Sequence, residues 1–294
     1  MIIGIVGAGT MGLGIAQQFA GIDGNSILLC SSSYESSIKG LDKINNFLDE
    51  KIKKKKISIE RKNKLIGRIQ VSSIEKCKEC DFIIESISED LKEKHFLFQQ
   101  LDNICKSDSI FITNTSSLSI TEIASGIKHE VIGMHFFNPV SAMKLVEITP
   151  GLNTSKSCIK KCIELAKTIE KEPVIAKENA GFIVNRILIP MINEAIGLYA
   201  EGIAKIECID SAMKLGAHHP MGPLELGDFI GLDICLAIME VILNETGDTK
   251  YRPHPLLRKM VRGGILGIKT GRGFYCYQNQ KKIPNDFLNI SHNY

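Results

Sequence analysis

The chain opens IIGIVGAGTMG, a β-branched run from Ile2 to Val6 that leads straight into Gly7, Ala8, Gly9, Thr10, Met11 and Gly12. A GxGxxG that follows a strand and starts a helix constrains the fold more than any other feature here. Gly7 permits a tight turn, Gly9 lets the backbone approach a pyrophosphate, and Gly12 lets helix and strand pack closely. The new helix brings unpaired N–H groups and the positive end of its dipole, which favour an anion. An isolated match is compatible with a bare tight turn; at the head of a βαβ unit it predicts dinucleotide binding.

The other half of that fingerprint is an acidic residue about 20 residues on, which accepts the ribose hydroxyls of NAD. The second strand, Ile27 to Cys30, ends instead in Ser31, Ser32 and Ser33. Losing the carboxylate removes repulsion against a 2′-phosphate, and three hydroxyls can bond to one, which points towards NADP. No Arg stands beside them to complete a phosphate site, so NAD and NADP both stay open.

Short apolar runs then alternate with helical periodicity. Strands are expected at Phe82 to Ile87, Ile110 to Thr113, Val131 to Met134 and Pro173 to Ala176. Helices are expected at Met11 to Ala20, Ser36 to about Leu65, Glu89 to Cys105, Ile120 to Ala124 and Lys156 to Ile169. Alternation of this kind means an α/β fold with a mostly parallel sheet. From Phe182 onward only helices are expected, at Phe182 to Gly197, Ile206 to Leu215, Leu232 to Thr246 and Pro255 to Val261. The 294 residues thus divide into an α/β domain over 1–180, an all-helical domain over 181–280 and a loosely held polar tail over 281–294; two domains is also what the length alone predicts.

Thirty-six Lys+Arg against 33 Asp+Glu leave a net charge of +3, which argues against nucleic acid or membrane as a partner. No apolar run approaches the roughly 18 residues of a membrane span. The first residues lack the basic and apolar regions of an export signal, and nine cysteines, an odd number, suit a reducing cytoplasm. Cys30, Cys105, Cys208, Cys235 and Cys276 read as buried thiols. Cys77 and Cys80 form a CxxC with no second pair and no His at ligand spacing, so no metal site is expected. His218 and His219 read as turn or interface residues.

The chemistry sits in the middle of the chain. Asn114-Thr115-Ser116-Ser117 follows one strand, His135 follows the next, and Glu147 lies in KLVEITP. Polar groups at successive strand ends converge on the crevice where an open α/β sheet binds its ligand. A secondary alcohol releases a hydride only as its hydroxyl proton is removed, and His is the natural base near neutral pH. A carboxylate on the other ring nitrogen fixes the tautomer. His135 alone would read as a packed histidine; with Ser116 and Glu147 beside it on a nucleotide fold, it reads as catalytic.

Seven blocks, GTMGLGIAQ, NTSSLSITEIAS, IGMHFFNPV, MKLVEI, GFIVNRILIPMINEA, AMKLGAHHPMGPLELGDFIGLD and KTGRGFY, together resemble the 3-hydroxyacyl-CoA dehydrogenases, in family order from residue 2 to about 277. The likeness is greatest to the stand-alone bacterial 3-hydroxybutyryl-CoA enzymes. It implies a Rossmann-type domain followed by a helical dimerisation domain, and hydride transfer between an L-3-hydroxyacyl-CoA and a nicotinamide. By that resemblance His135 is the catalytic base, Glu147 its partner, Ser116 the group that polarises the substrate and Asn185 the one that orients it. Glu89, Lys94, Ser116, Asn138 and Lys269 would touch the nicotinamide half of the cofactor. Lys53 and Lys54, in a Lys53–Lys56 run that alone reads as a solvated helix face, would meet coenzyme A phosphates. A homodimer through the helical domain is implied as well.

The chain departs from the family pattern at Ser31 in place of Asp, Ala180 and Ser141 in place of prolines, and Ile268 beside Lys269, and it is shorter by two residues near Lys128-His129-Glu130. None of these touches Ser116, His135, Glu147 or Asn185. A catalytically idle dinucleotide-binding or redox-sensing protein is the alternative, and the intact set of four argues against it. A dehydrogenase of small free hydroxy acids is disfavoured by the lysines and the HFFNP block.

Overall fold

In a computed structural model, which describes residues 1–278 and 281–285, the glycine-rich opening forms strand β1 (Ile2–Val6) and helix α1 (Thr10–Ala20). Strand β2 (Ser26–Cys30) follows, then helices α2 (Tyr34–Lys53) and α3 (Ile59–Ile66) and strand β3 (Ile69–Val71). Next come β4 (Phe82–Glu85), α4 (Leu91–Asp102), β5 (Ile110–Thr113), α5 (Ile120–Ile123), β6 (Glu130–Phe136), β7 (Leu145–Pro150), α6 (Lys156–Thr168) and β8 (Glu172–Ile175). The sheet order is β3-β2-β1-β4-β5-β6-β7-β8. All neighbouring pairs are parallel except β6 with β7. The order reverses between β1 and β4, the switch point at which such sheets open a crevice beyond their C-terminal ends.

Alternation along the strands sorts side chains into two apolar layers. Ile3, Ile5, Ile84, Ile112 and Ile132 share one layer with Phe19 and Ile44 from the helices. Val6, Ile83, Phe111 and Val131 share the other with Phe98 and Phe182. Truncating a fully buried ring such as Phe111 to Ala would cost about 3–5 kcal/mol.

Several expectations need correction. The single helix foreseen from Ser36 to Leu65 is two helices: Lys55 takes a left-handed φ of 54° that no helix tolerates, and Ser58 then caps α3 by accepting from the Arg61 amide. The three-residue β3 went unread because so short a run shows no periodicity. The KLVEITP block is itself a strand, β7, hydrogen-bonded antiparallel to β6. Cys77, in the short 3₁₀ connection (Ile74–Glu79) before β4, and Cys80, just after it, are both fully buried, and Cys30 Sγ lies 3.8 Å from Cys77 Sγ. That thiol contact and burial push Cys77 up, so it holds its proton. Cys208 is exposed, against expectation.

The chain divides into two compact units, Met1–Phe182 and Ile183–Tyr294. The second holds α7 (Val184–Ala200), α8 (Ile206–Gly216), α9 (Pro223–Ile230), α10 (Leu232–Thr246) and α11 (Pro255–Arg262). It is not all-helical. Strands β9 (Tyr275–Gln278) and β10 (Lys281–Pro284) form an antiparallel hairpin, so the expected loose tail is ordered as far as Asn285; residues 286–294 lie outside the described residues. Two buried aspartates tie this unit together. Asp228 accepts from the amides of Phe274 and Tyr275, both at 2.9 Å, and Asp210 accepts from those of Leu224 and Glu225 and from the Tyr275 hydroxyl. A Cβ on Gly273 would sit 1.9 Å from Asp228 Oδ1, so only glycine fits beside that carboxylate. Among the described residues no helix is long and apolar enough to cross a membrane.

Candidate active site

The turn after β1 is built as the motif requires. Gly7 adopts φ +123°, and a Cβ there would lie 2.2 Å from the Ser86 carbonyl oxygen; one on Gly12 would lie 1.9 Å from the Gly7 carbonyl oxygen. Gly9 differs: it is the N-cap of α1, with ordinary φ, and a Cβ on it would meet nothing within 4 Å. No side chain caps α1, and its first turn carries no acid. Open space over Gly9, backed by uncapped helix amides, is a cradle that fits a pyrophosphate. The Gly7 amide donates to the Cys30 carbonyl, which sets the end of β2 beside the cradle.

Ser31 begins the next turn. Its hydroxyl donates to the Ser33 carbonyl at 2.9 Å and shares a hydrogen bond of 2.9 Å with Ser37. Ser33 caps α2 by accepting from the Ser36 amide. The nearest acid in sequence, Glu35, is ion-paired with Lys39 at 2.6 Å.

At the C-terminal ends of β4 and β5 lies a polar network. Glu89 Oε1 accepts from the Thr115 hydroxyl at 2.7 Å, the Ser116 amide at 2.7 Å and the Ser116 hydroxyl at 2.9 Å. Lys94, on α4, is almost fully buried and pairs with Glu85 at 2.6 Å and Glu89 at 3.3 Å. Burial pushes Glu89 up, but the Lys94 ammonium and the hydrogen bonds from Thr115 and Ser116 pull it below the usual carboxylate range. Three residues expected to share a ligand, Glu89, Lys94 and Ser116, are thus one connected cluster. Sequence reading missed Glu85, although a carboxylate closing the otherwise apolar strand FIIE was a signal for it. It also missed the role of Asn114, whose Oδ1 accepts from the Phe136 amide and fastens the end of β5 to β6.

His135 lies inside β6, which runs two residues further than expected. The antiparallel register sets it opposite Glu147 on β7, and its Nδ1 is 2.7 Å from Glu147 Oε2. Glu147 is fully buried and His135 is 7% exposed, so the pair is shielded from water. The Phe137 ring centroid is 4.4 Å and that of Phe182 5.8 Å from the imidazole, two apolar walls that sequence reading did not foresee. Nδ1 faces the carboxylate, so Nε2 is the nitrogen left to exchange a proton. Chemically the pair is a base–acid oriented by a buried charge.

The remaining candidates are placed as follows. Asn138 is exposed in the turn after β6; the Lys171 ammonium holds that turn through the carbonyls of Val140 and Met143. Lys53 closes α2, exposed and paired with Glu50 at 2.7 Å, and Lys54 follows as its C-cap. In the second unit, Asn185 is buried in the first turn of α7. Lys269, also in that unit, is ion-paired with Asp233 at 2.5 Å.

The family model for the 3-hydroxyacyl-CoA dehydrogenase NAD binding domain matches residues 2–179, and that for the C-terminal domain of the same enzymes matches residues 181–277. A 3-hydroxybutyryl-CoA dehydrogenase of Clostridioides difficile is 52% identical over 280 residues, 94% of this chain and 99% of its own. One of Bradyrhizobium diazoefficiens is 43% identical over 285 residues, covering 96% of this chain and 97% of its own. The crystal structure of (S)-3-hydroxybutyryl-CoA dehydrogenase from Ralstonia eutropha superposes with a TM-score of 0.89 at 45% identity, covering 95% of this chain and 99% of that one. With both family domains matched in order along the chain, on a fold whose first turn is a dinucleotide cradle, the protein belongs to the 3-hydroxyacyl-CoA dehydrogenase family.

Proposed function

We propose that this protein interconverts a short-chain L-3-hydroxyacyl-CoA, 3-hydroxybutyryl-CoA in the first instance, with its 3-ketoacyl-CoA. The observation that carries the reading is the shielded His135–Glu147 pair at 2.7 Å on the strand next to β5, whose end carries Ser116. A nicotinamide dinucleotide, seated over Gly7–Gly12, supplies the hydride acceptor for oxidation and the donor for reduction. His135 takes the 3-hydroxyl proton at Nε2 during oxidation and returns it during reduction. Glu147 keeps Nδ1 protonated and stabilises the imidazolium that forms. The Ser116 hydroxyl, which donates its one proton to Glu89 in this structure, turns it to the substrate oxygen, while the Ser116 amide stays on Glu89 and keeps the turn in place. Asn185 orients the acyl chain, and Glu89, Lys94, Asn138 and Lys269 line the nicotinamide end.

Ser31 in a hydroxyl-lined turn supports acceptance of NADP, because no carboxylate at the end of β2 repels a 2′-phosphate. Lys53 and Lys54 are candidates for the coenzyme A phosphates, as flexible point charges. Residues 1–180 are the cofactor domain and 181–280 the substrate and dimerisation domain; exposed Ile187, Leu215 and Phe229 on the latter support a homodimer. We place the enzyme in the cytoplasm, in keeping with its free thiols. Steady-state reduction of acetoacetyl-CoA with NADH and with NADPH tests activity, substrate class and cofactor together. Turnover with either cofactor is expected, with the higher kcat/KM for NADPH; no turnover with either would remove the assignment.

A further inference from the structure

Glu85 closes β4 with its carboxylate fully buried, and three donors converge on it: Lys94 Nζ at 2.6 Å, the Ile87 amide at 2.7 Å and the Thr113 hydroxyl at 2.7 Å. Lys94, 1% exposed, also reaches Glu89 at 3.3 Å. Glu89 in turn holds the turn that carries Ser116. Two carboxylates therefore share one ammonium, and with both ionised the cluster bears one uncompensated negative charge. Burial raises Glu85 above the usual carboxylate range in spite of the ammonium and the two other donors, but donors converge on both of its oxygens, the arrangement that an ionised carboxylate accepts. A buried ion pair is weak evidence for stability, because apolar side chains of similar volume fill the same space as well.

We propose that Glu85 is a positioning residue that fixes Lys94 and leaves the cluster with a net negative charge, which biases the enzyme towards the oxidised nicotinamide over the reduced one. The inference rests on the functional reading above, which places the nicotinamide end at Glu89, Lys94 and Ser116. The oxidised ring is cationic and the reduced ring neutral, so a fixed negative charge attracts only the former. Under an effective dielectric constant of about 20, removing one unit charge beside the ring changes that preference by about tenfold.

The test is direct binding to purified full-length enzyme. NADPH is followed by its fluorescence and NADP+ by displacement of NADPH, with NADH and NAD+ run in parallel. In Glu85→Gln the affinity for the oxidised form, relative to the reduced form, should fall about tenfold. Glu85→Asp keeps the charge and should keep the wild-type ratio even where both affinities weaken. Should Glu85→Gln not fold, Glu85→Met, apolar and of like length, removes the same charge. A ratio unchanged in the neutral variant, or both forms weakened by one common factor, would overturn the proposal. Failure of the wild type to bind either nicotinamide pair would instead strike the cofactor assignment itself, so the two failures are distinguishable.

Discussion

Replacing Glu147 by Gln keeps the side chain's shape and removes its charge. In the wild type Oε2 faces His135 Nδ1 at 2.7 Å with both residues buried, so little water is at hand to replace the lost partner. A hydrogen bond to a charged group is worth about 1.5–3 kcal/mol, which is roughly 10- to 150-fold in rate if fully expressed when the imidazole carries a second proton. The amide adds a second loss. With its NH₂ towards Nδ1, the ring proton shifts to Nε2, and the nitrogen that must accept the hydroxyl proton is already filled; the same tautomer error in a serine protease triad costs about 10⁴-fold. The expected fall in kcat is therefore between about 10² and 10⁴. Reduction of acetoacetyl-CoA, followed by loss of NADPH absorbance, reads it, with NADPH affinity and melting temperature as controls. Glu147→Asp, which keeps the charge but withdraws it by one methylene, should recover part of the rate. A kcat within about threefold of wild type in a folded Glu147→Gln protein would refute the orienting role.

Three further outcomes follow from the geometry. Gly9→Ala adds a methyl to open space at ordinary φ, so melting should move by no more than about 2 °C, while dinucleotide affinity falls about tenfold or more as the methyl occupies the pyrophosphate cradle; an unchanged affinity would count against the cradle. Ser31→Asp restores a carboxylate at the end of β2 and should shift the kcat/KM ratio towards NADH by about tenfold or more; a wild type that strongly prefers NADH would overturn the serine reading. Asp228 offers a pH test. Burial raises its carboxyl to about 6, above the unfolded value of 3.8, so the folded state binds the proton more tightly. Its contribution to stability therefore grows as pH falls from about 6 towards 3.8, by up to about 3 kcal/mol. Thermal melts of wild type and Asp228→Asn should show a gap that widens between pH 7.5 and pH 4.5, and a gap independent of pH would contradict the raised value.

Much of this was legible because the relevant signals are local. GAGTMG after five apolar residues names both a turn and what the turn can bind, and Ser116 and His135 stand near strand ends that periodicity exposes. What stayed hidden depends on long-range pairing. Nothing local in KLVEITP says that it runs antiparallel to β6, yet that register is what sets Glu147 opposite His135. Glu85 looked like the end of a strand, and its meaning appears only when Lys94, nine residues on, folds back onto it. The ordered hairpin after Phe274 was invisible for a similar reason. Its first residues are held by Asp228, 46 residues upstream of Phe274, and no window of sequence joins the two. The split of the long Lys-rich helix and the three-residue β3 were local misses, since a lysine at left-handed φ carries no mark of its own and three residues show no periodicity.

His135→Gln is the most direct measurement of all. It removes the proton-transferring nitrogen while leaving the Gly7–Gly12 cradle and the Glu89–Lys94–Ser116 cluster intact. Reduction of acetoacetyl-CoA should fall by about 10³-fold or more, with NADPH binding within about threefold of wild type. Turnover near the wild-type rate in that variant would contradict the assignment of His135 as the group that moves the proton, and with it the proposed mechanism.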